Sequence, residues 1–163
     1  MEKLSLILWR QRELLDLLAF KLELEQLMLT AGRTRWLARC TNEVEAVLTQ
    51  LRETEVLRAV AADEAAHALG LEPNPALSAL AEASKEPWST IFADHRQAFV
   101  TLVGEIKVMS EVNHGLLSVG YRSARETLAA LGGTAEDSSI DGYSVDGSAR
   151  FDVNRRPLVD RAL

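Results

Sequence analysis

The spacing of apolar and polar positions divides the chain into three long helical runs, one short run and a C-terminal stretch with no helical period. The first run predicts a helix from about Leu4 to Thr30. Leu17, Phe20, Leu24 and Leu27 follow 3-4-3 spacing, and Leu8, Leu15, Leu18, Leu22 and Leu29 form a row beside them. Two rows make a wide apolar face, which predicts contact with two neighbours rather than one. Gly32 fits the position just past a helix end, where a left-handed backbone costs glycine little. The next periodic run begins within a few residues, and a connection this short makes the two helices antiparallel neighbours.

The second run, about Arg33 to Leu69, repeats on strict 3-4 spacing through Leu37, Cys40, Val44, Val47, Leu51, Thr54, Arg58, Ala61, Ala65 and Ala68. That is a heptad seam. It weakens at Thr54 and Arg58 and ends in alanines, which let a partner approach closely. Gly70 reads as its stop. Pro73, Asn74 and Pro75 mark a loop, with Asn74 placed to cap a short helix to Ala83 and Pro75 to open it. Leu77, Leu80 and Ala81 share one face of that helix.

The last run is the longest, about Pro87 to Leu131, with Pro87 in its first turn. Its seam is Phe92, His95, Phe99, Leu102, Ile106, Met109, Asn113 and Leu116. From Met109 the spacing becomes 4-4-4 through Asn113, Leu117 and Tyr121, then resumes as Ala124, Leu128 and Leu131. An inserted four-residue step is a stutter, which locally unwinds a left-handed supercoil. Gly115 and Gly120 fall in the same stretch and predict a bend or soft spot there. At ~1.5 Å per residue this helix is about 67 Å long against about 55 and 40 Å for the other two, so its apolar seam must overhang, toward the C-terminal end.

The reading is an all-α, long antiparallel coiled-coil bundle of three long helices and one short, over residues 1–132, followed by a flexible tail over 133–163. Five of the eight Asp and four of the nine Gly fall in that tail, and leucine almost vanishes from it. Within it, Asp146-Gly147 between alternating apolar residues is a hairpin signal, marginal for two strands alone.

Composition narrows the function. The 163 residues carry 18 basic and 24 acidic side chains, a net charge of −6. That balance argues against nucleic acid, whose binding rests on Lys and Arg meeting phosphates. The longest mostly apolar stretches, Leu4–Trp9 and Leu14–Phe20, fall far short of the ~20 residues a membrane span needs. They do not make a signal peptide either, so the expected setting is cytoplasmic. The single cysteine, Cys40, leaves no disulfide framework.

Chemistry is sparse. Glu64-x-x-His67 and Glu111-x-x-His114 have the spacing of di-iron carboxylate bundles, which is the enzyme alternative. Seam geometry puts these side chains outside, toward water. No cofactor is expected, and no catalytic or metal-ligating residues. His95 reads as a packed histidine, Cys40 as a small hydrophobe, and Asn113 as a polar residue that sets register, whose replacement by leucine trades register for stability. Arg33, Arg35 and Arg39, with Arg58 farther along, make either a solvated face or a contact for an acidic partner. The overhanging seam has the form of a groove that accepts an amphipathic helix. Closure of the bundle, a homodimer, or a purely structural coiled coil are the alternatives.

Leu8-Trp9-Arg10-Gln11-Arg12-Glu13-Leu14-Leu15, Phe20 through Gln26, Ala31 through Arg39, Glu86-Pro87-Trp88 and Asp94-His95-Arg96 together resemble the FlgN-type flagellar export chaperones, over roughly residues 4–132. The resemblance implies a cytoplasmic chaperone for hook–filament junction (hook-associated) proteins, which prevents their premature assembly and delivers them to the flagellar type III export gate. It implies client binding toward the end of the last helix, at Leu116, Leu117, Tyr121, Ala124, Leu128 and Leu131. Tyr143-Ser144-Val145-Asp146-Gly147 matches the family's Tyr-x-x-Asp-Gly element, which implies docking on the export gate through Tyr143, Asp146 and Gly147. The tail past Gly147 has no match to the family.

Overall fold

The computed structural model describes residues 1–131. Helices α1 (Glu2–Thr30), α2 (Leu37–Leu69), α3 (Leu77–Ala83) and α4 (Trp88–Ala130) follow one another, with a single 3-10 turn, Thr34–Trp36, between α1 and α2. The expected tail, residues 133–163, lies outside the described residues, and with it the hairpin signal.

α1 is the hub. Its hydrogen bonds to α2 run Lys3–Glu64, Gln11–Glu55, Lys21–Glu43 and Glu25–Thr41, a fixed antiparallel register. Against α4 it runs parallel: Trp9 meets His95, and Leu22 meets Asn113. α2 and α4 nowhere approach within 8 Å at their Cα atoms, so they meet only through side chains over α1. The expected second neighbour of α1 is therefore present.

The buried row on α1 is Leu4, Leu8, Gln11, Leu15, Leu18, Leu22 and Glu25, a 4-3 heptad pattern with two polar members. The parallel row Leu17, Phe20 and Leu27 faces water, which corrects its sequence reading as packed. Both rows are apolar, and the choice between them is made by Gln11 and Glu25, whose side chains have partners waiting on α2 and α4. On α2 the buried seam matches the heptad reading at Val44, Val47, Thr54, Arg58, Ala61 and Ala65, whereas Ala68 is exposed.

Two clusters make the core. One gathers Leu4, Leu8, Ala61, Ala65, Leu77, Leu80, Phe92 and Phe99 from all four helices. The other gathers Leu14, Leu18, Leu22, Val44 and Val47, with Ile106 and Met109 of α4 against it. The short α3 closes the end where α2 turns into α4 and packs Leu77, Leu80 and Ala81 inward. The capping expectation there is corrected. Asn74 takes a left-handed backbone, φ 58, and its N–H donates to the Asp63 carboxylate of α2, while α3 opens two residues later with Ala76 at its N-cap. Pro87 likewise stands at the N-cap of α4, after a cis Glu86–Pro87 bond.

Gly70 ends α2 at φ 70, and its N–H and that of Leu71 satisfy the carbonyls of His67 and Ala66. No atom lies within 4 Å of where a Cβ would sit. The cost of Gly70→Ala is therefore backbone strain alone, about 1 kcal/mol, seen as a lower urea midpoint with an unchanged slope.

Candidate functional site

The seam of α4 is buried only while α1 lies beneath it. Phe92, His95, Phe99 and Asn113 are buried, and Leu102, Ile106, Met109, Leu116 and Leu117 are half-buried. Every residue from Ser118 to Leu131 is exposed. The reason is geometric. Asn113 sits opposite Leu22 and Glu25, so α1 runs out near the level of Gly120 on α4. From there α4 continues for about ten residues, ~15 Å, with nothing against its seam. The helix is unbroken through Gly115 and Gly120, beside which there is open space. Of the expected site residues, Leu116 and Leu117 stand at the mouth of this surface. Tyr121, Ala124, Leu128 and Leu131 lie on it, with Leu128 57% and Leu131 79% exposed. Tyr143, Asp146 and Gly147 fall outside the described residues.

Immediately below the bare seam is a buried polar layer across three helices. The Asn113 Nδ2 donates to the Leu22 carbonyl (2.9 Å) and to Glu25 Oε2 (3.0 Å), and the Thr41 hydroxyl donates to Glu25 Oε1 (3.1 Å). The Asn113 Oδ1 has no partner. Asn113 thus has the setting of a register residue, and its partner Glu25 was not singled out in the sequence. A second layer lies nearer the other end. Arg58, expected as weak seam or solvated face, is buried and clamped to Glu55 at 2.7 and 2.8 Å, and Gln11 donates to the same carboxylate at 2.8 Å. The signal for it is the three-residue spacing of Glu55 and Arg58, which places them on neighbouring turns.

Glu64, His67, Glu111 and His114 are all exposed, and Glu64 pairs with Lys3 at 2.7 Å. Among the described residues no three His, Cys, Asp or Glu side chains are grouped to hold a metal ion. His95 is 2% exposed, edge-on to Trp9 at 4.8 Å and stacked with Phe99 at 6.1 Å. Burial pushes its pKa below the usual 6.5, the Arg12 guanidinium pushes the same way, and Asp94 opposes them. Native protein thus holds the neutral ring while the unfolded chain takes up a proton below about pH 6.5. The stability from that difference is present above pH 6.5 and is lost as pH falls toward the lowered native pKa. The melting temperature of the wild type therefore falls more steeply between pH 7 and pH 5 than that of His95→Gln.

Together these features define a small helical bundle whose longest helix presents a bare apolar seam beyond its last supporting neighbour, and none of its helices is long and apolar enough to cross a membrane. The family model for FlgN protein matches residues 1–150, and the chain belongs to that family. With membership comes the family's general role, flagellar export chaperone. None of the curated proteins or solved structures compared with the chain matches it.

Proposed function

We propose that this protein is a cytoplasmic chaperone that binds a terminal helix of a hook–filament junction protein on the free seam of α4, prevents premature assembly of that client, and hands it to the flagellar export gate. The supporting observation is that the seam which packs on α1 runs on past the end of α1 with its apolar residues exposed. An amphipathic client helix laid there takes the place that α1 vacates and buries its own apolar stripe, at ~25 cal/mol per Å² removed from water. Tyr143, Asp146 and Gly147 follow the seam closely in the chain, which lets one molecule hold the client and dock on the gate.

Calorimetric titration of the purified chain with each hook–filament junction protein of its own organism tests the proposal. One of them binds at 1:1 in the proposed reading. Binding of none overturns it, and a free protein that sediments as a dimer through α4 makes the seam a homodimer interface. Tyr143→Ala keeps client affinity and lowers the amount of client exported by cells. Unchanged export removes the docking role without touching the client site.

A further inference from the structure

The end of the bundle from which α4 projects is basic, although the chain as a whole carries a net charge of −6. Across residues 26–42 and 112–131 the charged side chains are Arg33, Arg35, Arg39, Arg122, Arg125 and one acid, Glu126. Arg39 is paired with Glu43 at 3.0 Å. Arg33 and Arg35 are exposed on the α1–α2 connection, and the Arg35 guanidinium lies 4.5 Å from the ring centroid of Trp36, itself 42% exposed. That connection follows directly from the end of α1, and the end of α1 is where the α4 seam becomes bare. A helix seated on the seam in continuation of α1 therefore comes down onto this connection. Arg125, next to Ala124 of the seam, flanks the same surface along its length.

Resting on the reading of α4 as a helix-binding seam, the geometry points to a second half of the site: Arg33, Arg35 and Trp36 receive the end of the client helix and select one whose terminal turn is acidic. Charges of one sign beside an apolar stripe select partners by electrostatic complementarity and speed encounter. The acids of this chain that give it its net charge lie elsewhere, beyond a screening length of ~8–10 Å for most of them, so the local arginines dominate what an approaching helix meets. Trp36 supplies an apolar floor beneath the arginines, as an amphipathic helix end requires.

The test uses three synthetic helical peptides with one apolar heptad stripe and with Glu, Gln or Lys in both end turns. Their binding to the full chain is followed by fluorescence anisotropy. The Glu peptide binds roughly tenfold tighter than the Gln peptide and the Lys peptide binds weakest, with the Glu preference shrinking as salt rises. Arg33→Glu with Arg35→Glu, both exposed, reverses the order and leaves the melting curve in place. Equal binding of all three to the wild type, or a Glu preference that survives the double substitution, overturns the inference and leaves the helix-binding seam standing. Leu128→Asp with Leu131→Asp removes binding of every peptide; a Glu preference that persists in that variant separates the arginines from the seam and overturns the inference. Failure of all three peptides to bind the wild type overturns both. A free dimer that the Arg33→Glu and Arg35→Glu pair breaks makes the occupant a second copy of this chain, which also overturns it.

Discussion

Leu128→Asp combined with Leu131→Asp abolishes client binding and leaves the free protein folded. The two leucines are 57% and 79% exposed, so neither contributes much to the free bundle. Exposed substitutions of this kind change stability by about 0.5 kcal/mol or less each. The added acids near the C-terminal end of α4 oppose its dipole at about 0.3–1 kcal/mol, which frays the last turn and does not reach the core. In the complex the same positions lie against the client. Fully burying a leucine is worth about 1.5–3 kcal/mol, and a carboxylate set into an apolar contact adds its own desolvation cost. Together these exceed about 3 kcal/mol, a loss of more than 100-fold in affinity. Titration calorimetry with a hook–filament junction protein reads the affinity, and circular dichroism melting reads the bundle. Unfolding of the free variant would place Leu128 and Leu131 in a core. Undiminished binding by a folded variant would move the client site off the α4 overhang.

The overhang was legible in the sequence because length and period decide it. A seam that keeps its repeat through Leu131 on the longest helix has no partner of equal length, whatever the details of packing. The seams of α2 and α4 were legible for the same reason, since each carries a single dominant apolar row. α1 was not, because Leu17, Phe20, Leu24 and Leu27 compete with Leu8, Leu15, Leu18 and Leu22 on period alone. What separates the rows is polar: Gln11 and Glu25 lie on the buried one and are satisfied there by Glu55, Thr41 and Asn113. Apolar spacing cannot register a glutamate as an interior residue, because its burial depends on donors far away in sequence. Asn74 escaped for a related reason. Its side chain is a good cap in isolation, but its N–H is drawn to Asp63 across the turn, and α3 starts after it. Tyr143, Asp146 and Gly147 rest on the family's motif; the family match to residue 150 includes their segment.

The polar layer of Glu25, Thr41 and Asn113 changes what Asn113→Leu does. Taken alone, a seam asparagine replaced by leucine gains apolar burial and loses register. Here the asparagine donates to a carboxylate that is 7% exposed, at 3.0 Å. Removing it leaves Glu25 with Thr41 as its one remaining donor among the described side chains. A hydrogen bond to a charged group is worth about 1.5–3 kcal/mol, and a buried charge stripped of a partner pays the desolvation that the bond had offset. The gain from leucine, with the unpartnered Asn113 Oδ1 also gone, offsets only part of this. Asn113→Leu therefore destabilises the bundle by about 1–2 kcal/mol. Glu25→Leu together with Asn113→Leu removes both ends of the pair and returns stability to the wild-type value or above, because hydrophobic replacement of a complete buried polar pair is neutral or favourable. The double variant then has no polar residue to fix α4 against α1 at the level where α1 runs out. It sediments as a mixture of states where the wild type gives one, and it binds client less tightly, because the seam is no longer held at one height above the α1–α2 connection. Urea melts of the wild type, both single variants and the double give the coupling energy between the two residues. A coupling near zero, or an Asn113→Leu variant more stable than the wild type, would show that the layer contributes neither stability nor register.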